Sequence, residues 1–206
     1  ASVSGALDPR RLADLTNLSD AIASVQGISG AEQYALQLRE QFEGANAKYL
    51  TFRELLSAKF DPGEITFGRY LKSAEHLYFS VLDEAQNAAT SLAGLQTIDL
   101  DLVRARTRAL KRVRAPSDAE VKELEALETR LELREKELGH IRELLSTNEQ
   151  SLTTLALAGT ALTRLQTEDG RTALDADTAM QELEELASRT NRYSLAHTRG
   201  SDGDVK

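Results

Sequence analysis

Residues 117–164 read SDAEVKELEALETRLELREKELGHIRELLSTNEQSLTTLALAGTALTR. Ser117 is followed three residues later by Glu120. That is a capping box, in which the serine and the glutamate each satisfy a backbone N–H left free at a helix start. Apolar residues then recur in alternating steps of three and four: Leu124, Leu127, Leu131, Leu138, Ile141, Leu145, Leu152, Leu155 and Leu162. Arg134, Asn148 and Gly159 stand in the same register where a leucine would continue it. Such a repeat keeps one stripe of a helix turned toward a partner. No proline interrupts the run, so about 48 residues form one helix, roughly 70 Å long. Helices of this length are coiled-coil or long-hairpin arms rather than ordinary globular helices. The pattern predicts an all-α protein: an antiparallel helical hairpin or bundle with a long coiled-coil arm.

The leucine seam has two readings. It packs against the chain's own helices, or it joins a second copy or another protein. A final helix predicted over 174–192, with Ala176, Met180, Leu183 and Ala187 on one side, is too short to cover the whole seam. Intramolecular packing with self-association on top of it is the expectation. Polar residues in the seam, Arg134 and Asn148, would fix register and partner at a cost in stability.

Upstream of the arm the 3.6-residue period persists. Asp8-Pro9 starts a first helix, Pro suiting the first helical position, with Leu12, Leu15, Ile22 and Val25 along one stripe. The run 27–30, GISG, interrupts it. A second helix from about Ala31 carries Leu38, Phe42, Ala45, Tyr49, Phe52 and Leu56, again at heptad spacing. Pro62-Gly63 then predicts a type II turn, with Gly at the positive-φ position. Thr66 is the expected cap of a third helix, whose wide apolar face (Phe67, Tyr70, Leu71, Ala74, Leu77, Tyr78, Val81 onward) needs neighbours on more than one side. So short a connection makes helices two and three antiparallel neighbours. Nine of the ten aromatic residues lie between Tyr34 and Phe79, which places the most specifically packed core there. Asp99 is the predicted cap of a short helix through Leu102, Val103 and Leu110, closed by Pro116. The expected organisation is a helical base at 1–97, a basic elbow at 98–116, a coiled-coil arm with a returning helix at 117–193, and a disordered tail at 194–206.

Composition narrows the chemistry. The 206 residues include no Cys and no Trp, and three His. Disulfides, thiolate metal sites and a cysteine nucleophile are thereby excluded. The net charge of −8 is unevenly spread: residues 98–116 hold six basic and two acidic groups, net +4, while 1–97, 117–165 and 166–206 are each net −4. No Gly-rich phosphate loop is present, and no cofactor is expected. Glu137 and His140 have the Glu-x-x-His spacing of helical di-iron sites, but that chemistry needs two copies and two further glutamates. A surface Glu and His on a charged helix is the ordinary reading. His76 and His197 lack convincing partners, and Asp99 and Asp101 are too close for a calcium loop. No catalytic or metal-binding residue is assigned, and the chain is read as a non-enzyme.

The strongest candidate site is the cluster Arg104, Arg106, Arg108, Lys111, Arg112 and Arg114. Arg104, Arg108, Lys111 and Arg112 share one helix face. On the ordinary reading, these cations complement a helix C-terminus and pair with the acidic start of the next helix at Asp118, Glu120, Glu123 and Glu125. On a second reading they bind anionic lipid headgroups at a membrane surface. Nucleic acid is disfavoured by the acidic total and by the lack of nearby aromatics to stack on bases.

The segment FDPGEITFGRYLKSAE at 60–75, running on through Val81, Leu82, Asp83, Glu84, Ile98 and Asp99, resembles a stretch of uncharacterised bacterial helical proteins encoded near toxic-anion-resistance or envelope-stress proteins. The resemblance covers about residues 35–103, is a packing pattern rather than a catalytic signature, and departs at Ala85-Gln86. It implies a bacterial, cytoplasmic, membrane-associated scaffold and transfers no functional residue. Together the expectation is a non-enzymatic scaffold or adaptor that self-associates or docks a protein partner through coiled-coil contacts. The alternatives are a cytoplasmic protein lying peripherally on an anionic membrane through residues 104–114, and a helical metal-dependent enzyme.

Overall fold

The computed structural model describes residues 9–164 and 177–189, with side-chain surroundings from residue 14 onward. These residues form six helices and, among them, no strand. They are α1 (Pro9–Ser24), α2 (Glu32–Lys59), α3 (Ile65–Leu95), α4 (Leu100–Leu110) and α5 (Asp118–Arg164), with α6 at 177–189. The protein is all-α. Both ends of the final helix predicted over 174–192, Ala176 with them, and also Leu12's side chain, His197 and the tail at 194–206, lie outside the described residues.

Local chemistry explains the helix boundaries. At the start of α5, the Ser117 N–H donates to Glu120 Oε2 at 2.8 Å and the Glu120 N–H donates back to Ser117 Oγ at 3.3 Å. Asp99 Oδ1 accepts the Leu102 N–H at 2.9 Å, capping α4. The α2–α3 connection departs from expectation. Gly63 does not adopt positive φ, so the turn is not type II. Asp61 builds it instead: its carbonyl accepts the Glu64 N–H at 2.9 Å and its Oδ1 accepts the Gly63 N–H at 2.8 Å. Glu64 Oε1 accepts the Asp61 N–H at 2.9 Å, so this acidic pair does the capping expected of Thr66, which falls inside α3. An aspartate side chain that mimics a backbone turn removes the need for a left-handed glycine. Positive φ occurs at Gly27 (81°) and Gly30 (71°), between α1 and α2.

The chain divides into two compact units, one of Ala1–Arg39 with Ala85–Leu145 and one of Glu40–Glu84 with Ser146–Lys206. This differs from the sequential base, elbow and arm drawn from the charge map, since α2, α3 and α5 each contribute a segment to both units.

In the Glu40–Glu84/Ser146–Lys206 unit, α2 and α3 run antiparallel, as the ring pairs Tyr49–Tyr78 (4.8 Å) and Phe60–Tyr70 (6.0 Å) show. The core gathers Tyr49, Phe52, Leu56, Phe67, Tyr70, Leu77 and Tyr78 with Leu152, Leu155 and Leu162 of α5 and Met180, Leu183 and Ala187 of α6. Buried Asn148 donates its amide to the Val81 carbonyl at 3.3 Å, which satisfies a polar group that would be costly if left alone.

Tyr49 makes this core sensitive to alkali. It is 7% exposed, and its hydroxyl donates to Glu75 Oε1 at 3.2 Å. Burial first, then the Glu75 charge, pushes its pKa up to about 12. An unfolded tyrosine ionises near 10. The neutral ring therefore contributes stability that is intact below pH 10 and lost as pH rises through 12, about 2–3 kcal/mol in all. Urea midpoints followed from pH 9 to 12 should fall less steeply in Tyr49→Phe than in the parent. Parallel curves would remove Tyr49 as the cause.

In the Ala1–Arg39/Ala85–Leu145 unit, Val103 and Leu110 of α4 bury against Leu127 of α5, with Ile98, Leu124 and Leu131 half-buried around them. Leu100 and Thr107 complete the buried face of α4. Leu102 is 65% exposed because it lies about a third of a turn off the 100–103–107–110 stripe. Leu18, Ile22 and Val25 of α1 are buried. The Gln26 side chain donates to the Ile22 and Ala35 carbonyls, each at 3.0 Å, and so ties α1 to α2.

Candidate functional site

The six cations of 104–114 are all exposed, and the structure splits them by role. Arg106 and Lys111 flank the buried stripe of α4 and reach α5. Arg106 makes a bidentate pair with Glu123, Nε to Oε1 at 2.6 Å and an Nη2 bond to Oε2 at 2.8 Å. Lys111 Nζ lies 2.7 Å from Glu128 Oε1. The Arg106 hydrogen bonds hold the Glu123 carboxyl below the usual carboxylate range. The ordinary reading thus describes two of the six, with Glu123 as an expected partner and Glu128 as one not foreseen. Glu120 turns back to Ser117, as a capping residue should.

Arg104, Arg108, Arg112 and Arg114 are placed differently. Arg108 Nε donates to the Arg104 carbonyl at 3.3 Å. Among the described residues, none of the four has a carboxylate in ion-pair contact. Arg104 and Arg108 lie one turn apart and Arg112 continues their line into the turn that follows α4. Leu102 and Val113, exposed large hydrophobics, stand on the same short segment. The result is an outward basic face. Charge composition located the cluster, but the division between tethered and free cations depends on where α5 starts.

The leucine seam is spent inside the chain. Leu127, Leu138, Ile141, Leu145, Leu152, Leu155 and Leu162 are buried, Ile141 and Leu162 completely, and Leu124 and Leu131 are half-buried. Around Leu127 the covering side chains include those of α4, and around Leu152, Leu155 and Leu162 they come from α2, α3 and α6. These seam residues are core residues of the chain. The returning helix need not cover the seam alone, because α2 and α3 share the task.

Glu137 is half-buried and His140 exposed, and among the described residues no group of three or more His, Cys, Asp or Glu is placed to hold a metal ion. His76 is half-buried on α3. Among the described residues no helix is long and apolar enough to cross a membrane. Arg134, one of the polar residues in the seam, is buried at 2% exposure and donates to the Ser29 carbonyl. Its place in an apolar register was the available signal that it does something a leucine cannot.

No family model, curated protein or solved structure matches the chain.

Proposed function

We propose that the protein is a non-enzymatic helical scaffold whose contact surface is the arginine face of α4, laid on an anionic lipid surface. The observation that carries this reading is the division of the basic cluster. Two cations are consumed in holding α4 to α5, while Arg104, Arg108, Arg112 and Arg114 are left facing solvent. A guanidinium makes bidentate contacts with phosphate oxygens, and cations near an anionic bilayer contribute about 1 kcal/mol each. Docking through the leucine seam, whether by self-association or onto another protein, is disfavoured, because those side chains already fill the core. Co-sedimentation with vesicles tests the proposal: binding to phosphatidylserine-containing vesicles, weakening with salt, is expected, and equal binding to neutral vesicles would end it.

A further inference from the structure

We infer that the cavity around Arg134 binds a small zwitterion of amino-acid type, with its carboxylate on the Arg134 guanidinium and its cationic group at Asp101. The cavity, about 330 Å³, lies within the Ala1–Arg39/Ala85–Leu145 unit. Its polar lining includes Gln26 and Ser29 from the α1–α2 loop, Gln96 after α3, Asp99 and Asp101 at the start of α4, and Arg134 from α5. That volume is within the range of small-molecule sites.

Arg134 is the centre of the case. It is 2% exposed, and one nitrogen, Nη2, donates to the Ser29 carbonyl. Among the described residues no carboxylate stands in ion-pair contact with it. Glu32 senses its charge, but the Glu32 carboxylate is turned to the Gly30 N–H at 3.1 Å. A guanidinium has five N–H donors in a planar fork. Burying that charge against a single carbonyl is costly, and Arg134 lines the cavity. A carboxylate supplies two oxygens at the spacing the fork requires. Gly30 lets the loop backbone pack closely here: a Cβ there would lie 3.1 Å from Leu100 Cδ2 and 3.4 Å from Arg134 Nη2.

The other wall selects the rest of the ligand. Asp99 is committed to capping α4 through the Leu102 N–H. Asp101 is exposed in the first turn and makes no ion pair among the described residues. Two carboxylates lining the same cavity as one guanidinium repel a dianion such as phosphate. A ligand carrying an ammonium next to its carboxylate is attracted by both walls. This inference does not depend on the lipid reading, since Arg104, Arg108 and Arg112 do not line the cavity.

Calorimetric titration of the full chain with the common L-amino acids, each alone, and with acetate and inorganic phosphate, tests it. Saturable binding of at least one amino acid is expected, at least about tenfold tighter than acetate or phosphate, the size of one charged contact. Arg134→Met should lose that binding by a similar factor or more. Asp101→Asn, an exposed change that leaves the core untouched, should remove the advantage over acetate while acetate itself binds no worse. If Arg134→Met fails to fold, the Asp101→Asn comparison decides alone. No saturable amino-acid binding, phosphate binding tighter than any amino acid, or undiminished binding in a folded Arg134→Met would overturn the inference and leave Arg134 as an anchor for the 26–30 loop.

Discussion

Leu155→Asp is expected to unfold the Glu40–Glu84/Ser146–Lys206 unit, while Leu157→Asp, two residues along the same helix, leaves it folded. Leu155 is 2% exposed and packs in the core with Tyr49, Phe52 and Leu152. Removing its side chain alone costs about 2–5 kcal/mol, and a carboxylate held in that apolar setting adds several more. The sum rivals the whole stability of a domain, about 5–15 kcal/mol. Leu157 is 52% exposed, and a change at such a surface position costs about 0.5 kcal/mol or less. Thermal melts of the two variants followed by circular dichroism give the answer. If Leu155→Asp melted like the parent and differed only in its mass in solution, the seam would be an interface between chains and not a core.

That pair of substitutions also marks how far the sequence could be read. The three-and-four spacing correctly separated Leu155 from Leu157, because helical period dictates which residues share a face. It could not say what covers that face. The covering residues at 45–81 are remote in sequence, and a heptad made by a second copy would look the same. The capping box at Ser117 and the cap at Asp99 were legible because their chemistry is contained within four residues. The Pro62-Gly63 turn was misread for a related reason: Pro-Gly suits a type II turn, but the Asp61 side chain stabilises a different one. The basic cluster was visible as composition. Which of its members are free became visible only once Glu123 and Glu128 were placed against α4.

The charge-reversed variant Arg104→Glu/Arg108→Glu/Arg112→Glu is expected to abolish sedimentation with phosphatidylserine vesicles. Each arginine contributes about 1 kcal/mol at an anionic surface, so three removals cost about 3 kcal/mol and the three new repulsions a comparable amount. The total is on the order of a 10⁴-fold loss in partitioning. Folding should be spared, since none of the three side chains is buried or has a carboxylate partner among the described residues. An equal change in net charge placed elsewhere supplies the contrast. Lys122, Arg130 and Lys136 on α5 are exposed, and Lys122→Glu/Arg130→Glu/Lys136→Glu alters the total charge by the same amount without touching α4. If the α4 face makes the contact, this second variant retains most of the binding, because its three charges stand on another helix and not on the face laid against the lipid. Raising the salt should weaken the parent and the α5 variant together. Equal losses in both triple variants would mean that the vesicle responds to the protein's overall charge, and the α4 arginines would then be ordinary solvated cations at the end of a short helix.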